Sequence, residues 1–291
     1  MDVDSVLALA TRARGKAKRV LLRAPFIKQW SEQRYFAARG RHVDDRPWLE
    51  RGRFGVLEDL RQGFFAQRDG SDMLPADVVD VADRFVQRLK ADTSNKPCVR
   101  ISPADLAADP ALFKWGLSDA NLDLAECYIG LPVHYLGVEV KRERPDGVAT
   151  EVRQWHIDVE DRRMMKIIVY LSDVDEGCGP FEYLDRQRTR RAVAGLNYWS
   201  GFVPDANMAS AVDTGEWLRA TGSRFTSVFV DTCRLFHRAK PPTTTDRYSM
   251  TFSYSSTTPY QVFPEFMQTR KTMLALRSQL TKRQRRASMM E

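Results

Sequence analysis

The sequence predicts an α+β fold, with helices in the first third of the chain and strands dominating after Val133. Two patterns carry that expectation. Apolar residues recur at helical spacing before Val133, and β-prone runs separated by turn residues follow it. A third observation concerns chemistry: two of the chain's four histidines and one aspartate fall at the ends of such runs. With 291 residues the chain is long enough to bury a substantial core.

The clearest helical pattern is Val78, Val81, Ala82, Phe85, Val86 and Leu89, spaced so that all six share one face. Pro75 stands where a first-turn proline is tolerated. A weaker helix is expected from Val56 to Phe65, and another from Ala111 to Glu126 with a break near Gly116. Two strands, Val133 to Arg144 and Val148 to Ile157, flank the turn Pro145-Asp146-Gly147 and read as a hairpin.

The next strand, Met164 to Leu171, is almost wholly apolar, as a strand covered on both faces must be. Lys166 is the exception and shares a face with Ile168 and Tyr170. Two readings stay open for it. It reaches solvent at the strand edge, or it lies inside and needs an anion, such as a co-substrate carboxylate, because a buried unpaired ammonium is costly. Residues 184–222 interrupt the strands with helix-leaning sequence containing Arg186, Arg188, Arg190 and Arg191, then Tyr198 and Trp199. Such an insertion is expected to cover the mouth of a site and recognise a substrate. A strand from Ser227 then closes at His237, a turn rich in proline and threonine follows, and Arg247 opens the last strand. Residues 259–281 are expected to form a closing helix, with Phe263, Phe266, Met267, Met273, Leu274 and Leu280 as its buried stripe.

The chemistry lies in His156-Ile157-Asp158 and His237. Residues two apart on a strand point to one side, so His156 and Asp158 can converge while Ile157 faces away. Two imidazoles and one carboxylate hold a redox-active iron on one face and leave positions open for an oxidant and a co-substrate. Arg247 and Ser249 are likewise two apart, and a guanidinium fork suits a dicarboxylate such as 2-oxoglutarate better than a lysine does. His42 reads as a surface or loop residue and His134 as structural. Cys233, four residues before His237, reads as a core cysteine.

His156-Ile157-Asp158, the strand ending in Ser172-Asp173-Val174, the Gly179-Pro180 turn and Leu235-Phe236-His237 followed by Arg247 together resemble the phytanoyl-CoA dioxygenase-like family of iron(II)/2-oxoglutarate-dependent oxygenases. The resemblance covers residues 125–258. It implies iron on His156, Asp158 and His237, the distal carboxylate of 2-oxoglutarate on Arg247 with help from Ser249, and dioxygen as the second co-substrate. It also implies hydroxylation of a C–H bond. Halogenases of this kind carry a small residue at the metal carboxylate, and Asp158 is present. Many members continue after the Gly-Pro turn to Pro-Gly-Ser-His, whereas this chain reads Phe181-Glu182-Tyr183-Leu184-Asp185, so the substrate does not carry over. The fold that brings these strands together is a double-stranded β-helix, a form of jelly roll. Two other readings of the residues are a jelly-roll metal protein that isomerises or binds sugars, and a non-catalytic binding protein.

The expected organisation is a basic arm over residues 1–45, one catalytic domain over 46–281 and a basic tail over 282–291. Within the domain, 46–130 is helical and 131–258 is the jelly-roll core. No run is apolar enough to span a membrane, and four scattered cysteines suit a reducing cytoplasm. The net charge of +7 is concentrated at the ends. Residues 12–34 hold eight basic residues against Glu32, a composition suited to peripheral contact with an anionic membrane surface. No nucleic-acid reader motif is present. The expected partner is a small or lipid-linked substrate, with an anionic one favoured by the arginines.

Overall fold

The computed structural model of the protein describes residues 24–70, 72–262 and 275–289. The first third is helical: α1 (Pro25–Arg41), α2 (Arg51–Gly63), α3 (Ala76–Ala91), α4 (Pro103–Ala108), α5 (Ala111–Gly116) and α6 (Asp119–Ile129). All six apolar residues predicted for the strongest helix are buried on α3. Asp77 in its first turn and Arg88 and Lys90 in its last complement the helix dipole. The predicted break near Gly116 separates α5 from α6. α6 ends at Gly130 with φ +80°, a left-handed cap that suits glycine. The weaker helix is longer than expected and ends at Phe64, also left-handed, which turns the chain straight into β1 (Phe65–Arg68).

Two antiparallel sheets follow. The larger has the order β1-β7-β4-β9-β3-β2, with β2 (Cys98–Arg100), β3 (Val133–Glu143), β4 (Met164–Tyr170), β7 (Ser227–Val230) and β9 (Arg247–Ser256). The smaller has the order β6-β5-β8, with β5 (Phe181–Tyr183), β6 (Leu218–Ala220) and β8 (His237–Ala239). Between them run α7 (Arg186–Gly195) and α8 (Asp205–Ala211). A bulge at Leu136, where Gly137 takes φ +114°, shifts the register of β3 against β9.

Side chains alternate across the large sheet. Met165, Ile167 and Val169 of β4, Val138 and Val140 of β3, and Met250, Phe252 and Tyr254 of β9 join the core formed with the helices. That core supplies most of the burial that holds the fold, at roughly 25 cal/mol per Å² of apolar surface removed from water. The other face is polar. In register across it lie Glu143 beside Arg247, Lys141 beside Ser249 and Tyr170, and Lys166 beside Ser253. A second, smaller core of Trp155, Ala192, Met208, Trp217 and Phe236 anchors α7 and α8 to the small sheet.

Several expectations need correction. The second hairpin strand is absent: after β3 the chain passes through a loop and a short 3-10 turn at Glu151–Arg153. Arg153 explains this, because its buried guanidinium bonds Asp146, Val148 O and Pro97 O and draws the segment inward. The run from Ser227 to Phe236 is not one strand either. Asp231 Oδ1 accepts from Cys233 N at 3.1 Å, forming a turn that ends β7, so His237 opens β8 in the other sheet. Cys233 therefore sits in that turn and not on a strand. Within the expected basic tail lies a capped helix, α9 (Lys282–Ala287), whose Arg283 pairs with Asp119, Asp123 and Glu126. Most of the expected closing helix, residues 263–274, lies outside the described residues, as do residues 1–23 of the basic arm. The rest of that arm is largely α1, with Pro25 in its first turn.

Candidate metal centre

His156 and His237 are cross-strand neighbours. Each backbone N–H donates to the other's carbonyl at 3.0 Å, and the ring centroids are 4.3 Å apart. His237, which opens β8, thus extends the same ladder as His156. Asp158 is fixed two residues further on, where its N–H donates to Thr232 O at 2.9 Å. The ligating atoms of His156, Asp158 and His237 all lie within 4.8 Å of one another.

The two imidazoles are held alike. His156 Nδ1 lies 2.8 Å from Gln154 O, and His237 Nδ1 lies 3.1 Å from Leu235 O. A carbonyl oxygen only accepts, so each Nδ1 carries the proton and each Nε2 presents a lone pair. Those Nε2 atoms lie 3.5 Å and 3.8 Å from Asp158 Oδ1. Ligands sharing one ion at ~2.1 Å bonds lie roughly 3 Å apart, so modest movement closes the set on a metal. Burial and the neighbouring His156 push the His237 pKa down to about 3, which keeps it a neutral ligand. Burial opposes ionisation of Asp158, but the Lys166 ammonium outweighs it and holds the carboxyl well below its usual range.

Lys166 is half-buried, and its partner is Asp158: Nζ donates to Oδ2 at 2.6 Å. The anion that the interior reading called for is supplied by the chain itself. Asp158 therefore gives one oxygen to the lysine and turns the other toward the histidines. Glu160 is also buried here. Burial and repulsion from Asp158 push its pKa up to about 7.

Arg247 and Ser249 line a narrow cavity with Lys141, Glu143, Tyr170 and Phe181. The Phe181 ring stacks on His237 at 5.5 Å between centroids, so this cavity adjoins the histidines. Arg247 donates to Glu143 Oε2 through Nε at 3.1 Å and also through Nη2, while Nη1 donates to Lys240 O at 3.1 Å. Its remaining N–H groups can meet an anion. Burial opposes ionisation of Glu143, but Arg247 and Lys141 hold its pKa down to about 2. The connector before Arg247 is locked in place: a Cβ on Gly179, whose φ is +67°, would strike the backbone of Lys240 to Pro242, and Thr243 N donates to Gly177 O at 2.8 Å. Sequence reading missed Lys141 and Glu143. The signal was present, since Glu139, Lys141 and Glu143 alternate with Val138 and Val140 on one strand.

The insertion reaches the centre through Tyr198 and Phe202. Tyr198 Oη accepts from Ile157 N at 3.2 Å and donates to Gly201 O at 2.8 Å. The Phe202 ring stands edge-on to His156 at 5.3 Å and is 48% exposed. Two of the insertion's arginines are engaged elsewhere: Arg188 pairs with Asp185 and Glu216, and Arg191 with Glu216. Outside the centre, His42 is half-buried and bonds Glu126 at 2.8 Å, and His134 lies on β3.

No protein-family model and no curated protein matches the chain. Solved structures do. EctD from S. alaskensis in its apoform aligns over 72% of this chain and 80% of that one, at 17% identity and a TM-score of 0.52. The chain shares the fold of EctD. EctD with 2-oxoglutarate and 5-hydroxyectoine aligns at 17% identity and a TM-score of 0.50, over 72% of this chain and 79% of that one. HygX from Streptomyces hygroscopicus, with nickel and 2-oxoglutarate bound, aligns at 18% identity and a TM-score of 0.48, over 72% and 88%. No helix among the described residues is long and apolar enough to cross a membrane.

Proposed function

We propose that this chain is an iron(II)- and 2-oxoglutarate-dependent dioxygenase that hydroxylates a C–H bond, built on a double-stranded β-helix. The single observation that carries the reading is the shared orientation of His156 and His237. Both imidazoles are fixed through Nδ1, so both Nε2 atoms face one oxygen of Asp158. That donor set fits a ferrous ion and leaves part of its coordination sphere open. The shared fold with EctD, which has been crystallised with 2-oxoglutarate, supports the same reading.

With ferrous iron and 2-oxoglutarate bound, the centre would supply dioxygen activation and C–H oxidation. The chain's own residues do the rest. His156, Asp158 and His237 hold the metal. Arg247 and Ser249 receive the distal carboxylate, and Lys141 adds positive charge to that cavity. Lys166 fixes Asp158 so that one oxygen remains for the ion. Phe202 stands over His156 and forms an aromatic wall for the substrate, which favours a ring or hydrocarbon face at the reacting carbon. The pairing of Arg188 and Arg191 with acids removes much of the charge that favoured an anionic substrate.

The test is turnover of 2-oxoglutarate by ferrous-loaded protein over a panel of candidate substrates, following succinate and a one-oxygen mass gain. Succinate release that depends on Asp158 supports the proposal. Metal binding without any succinate would favour a jelly-roll isomerase or binding protein.

A further inference from the structure

The N-terminal helix carries a feature that the metal centre does not use. Along α1, Ile27, Ser31, Tyr35 and Ala38 form the inner stripe, with Tyr35 buried. The inner side is tied down through Arg162, which donates to Ser31 and stacks over the Tyr35 ring at 4.7 Å. Glu32, the only acid of the helix, belongs to this side. It bonds Tyr260 Oη at 3.0 Å and pairs with Arg162.

The outer stripe is Phe26, Trp30, Gln33, Ala37 and Arg41, spaced by steps of four, three, four and four, and all five are exposed. Phe26 is 80% exposed and Trp30 53%. Arg34 lies beside the stripe, with its guanidinium 4.7 Å from the Trp30 ring centroid. Among the described residues, neither Arg34 nor Arg41 is in an ion pair. On the exposed side of the helix Phe26 and Trp30 therefore stand with Arg34 and Arg41, while the one acid of the helix is turned inward.

We propose that this face of α1 docks on an anionic lipid bilayer. Aromatic side chains at the end of a helix seat at the headgroup level, and flanking arginines pair with lipid phosphates. Charge complementarity selects this occupant: the helix's exposed arginines gain from an anionic surface, and Phe26 and Trp30 gain only from one that has an apolar interior. The inference does not depend on the reaction proposed for the metal centre.

The experiment is sedimentation of the full chain with vesicles of phosphatidylcholine alone and of phosphatidylcholine mixed with phosphatidylglycerol. The chain is expected to bind the mixed vesicles, to bind them less as salt is raised, and to ignore the neutral ones. The double variant Phe26→Ala/Trp30→Ala should weaken binding by roughly tenfold or more. Arg34→Gln/Arg41→Gln should weaken it to a smaller extent. All four positions are exposed, so the variants should unfold at the wild-type temperature. Failure of the wild type to bind the mixed vesicles would overturn the proposal. So would equal binding to neutral vesicles, or double variants that bind like the wild type. Retention on duplex DNA that outcompetes the vesicles would assign the face to nucleic acid instead.

Discussion

Lys166 Nζ stands 2.6 Å from Asp158 Oδ2, so the carboxylate that completes the metal-binding set is already oriented by a half-buried cation. Desolvation should weaken that cation. Asp158 and Glu160 outweigh it and raise the lysine's pKa above its ordinary value, keeping it charged. Residues that orient a metal ligand without touching the ion commonly control its affinity by about tenfold to a hundredfold. Lys166→Met should therefore weaken ferrous or cobaltous binding by about that factor, measured by anaerobic calorimetric titration. An unchanged affinity would show that Asp158 needs no such support.

Arg247 meets Glu143 through Nε and Nη2, which fixes the plane of its guanidinium. Lysine at this position keeps the charge and loses the fork. Arg247→Lys should raise the KM for 2-oxoglutarate by about tenfold to a hundredfold, the worth of a charge-assisted bidentate contact. The turnover rate at saturating co-substrate should change little. A KM that did not move would place the distal carboxylate elsewhere in the cavity, with Lys141 as the next candidate.

Asp231 gives a pH dependence of defined sign. Burial raises its pKa to about 7, although Tyr128 Oη donates to it at 2.6 Å. In the unfolded chain it ionises near the ordinary value of about 3.9. The folded state thus holds a proton that the unfolded state releases, so this group's stabilisation is full below about pH 4 and is lost as pH rises through 7. His237, depressed to about 3, acts in the opposite sense and favours the folded state as pH rises toward about 6.5. Comparing wild type with Asp231→Asn isolates the first effect. Urea unfolding at several pH values should show the variant gaining on the wild type by on the order of a few kcal/mol between pH ~4 and pH ~8. A difference that stays constant with pH would mean that Asp231 is ionised throughout.

Phe202 projects from the insertion over His156, without being part of either core. Phe202→Ala should leave stability within about 0.5 kcal/mol of wild type, as expected for an exposed position. It should raise the KM for substrate and leave the KM for 2-oxoglutarate unchanged. Equal effects on both would contradict its assignment to the substrate wall.

Much of the architecture was legible because it follows from periodicity. The buried face of α3 and the break between α5 and α6 were readable from spacing alone. So was the pairing of Arg247 with Ser249 on one strand face. The shared side of His156 and Asp158 was readable because residues two apart on extended chain point one way, while His237 joined them through the family resemblance. Long-range choices were not legible. Arg153 turns inward to reach residues far along the chain, which no local propensity for strand foretells. The Asx turn at Asp231 moves His237 into the ladder of His156, and a run of β-prone residues hides it. The partner of Lys166 was an open choice because its distance from Asp158 is set by tertiary packing, not by the seven residues between them.

The most direct test of the central claim is anaerobic titration of metal-free protein with ferrous iron, for the wild type and for His156→Ala, Asp158→Ala and His237→Ala. One ion per chain in the wild type, lost in each of the three variants that still fold, is the predicted result. A wild type that binds no iron, or binding that survives all three substitutions, would contradict it.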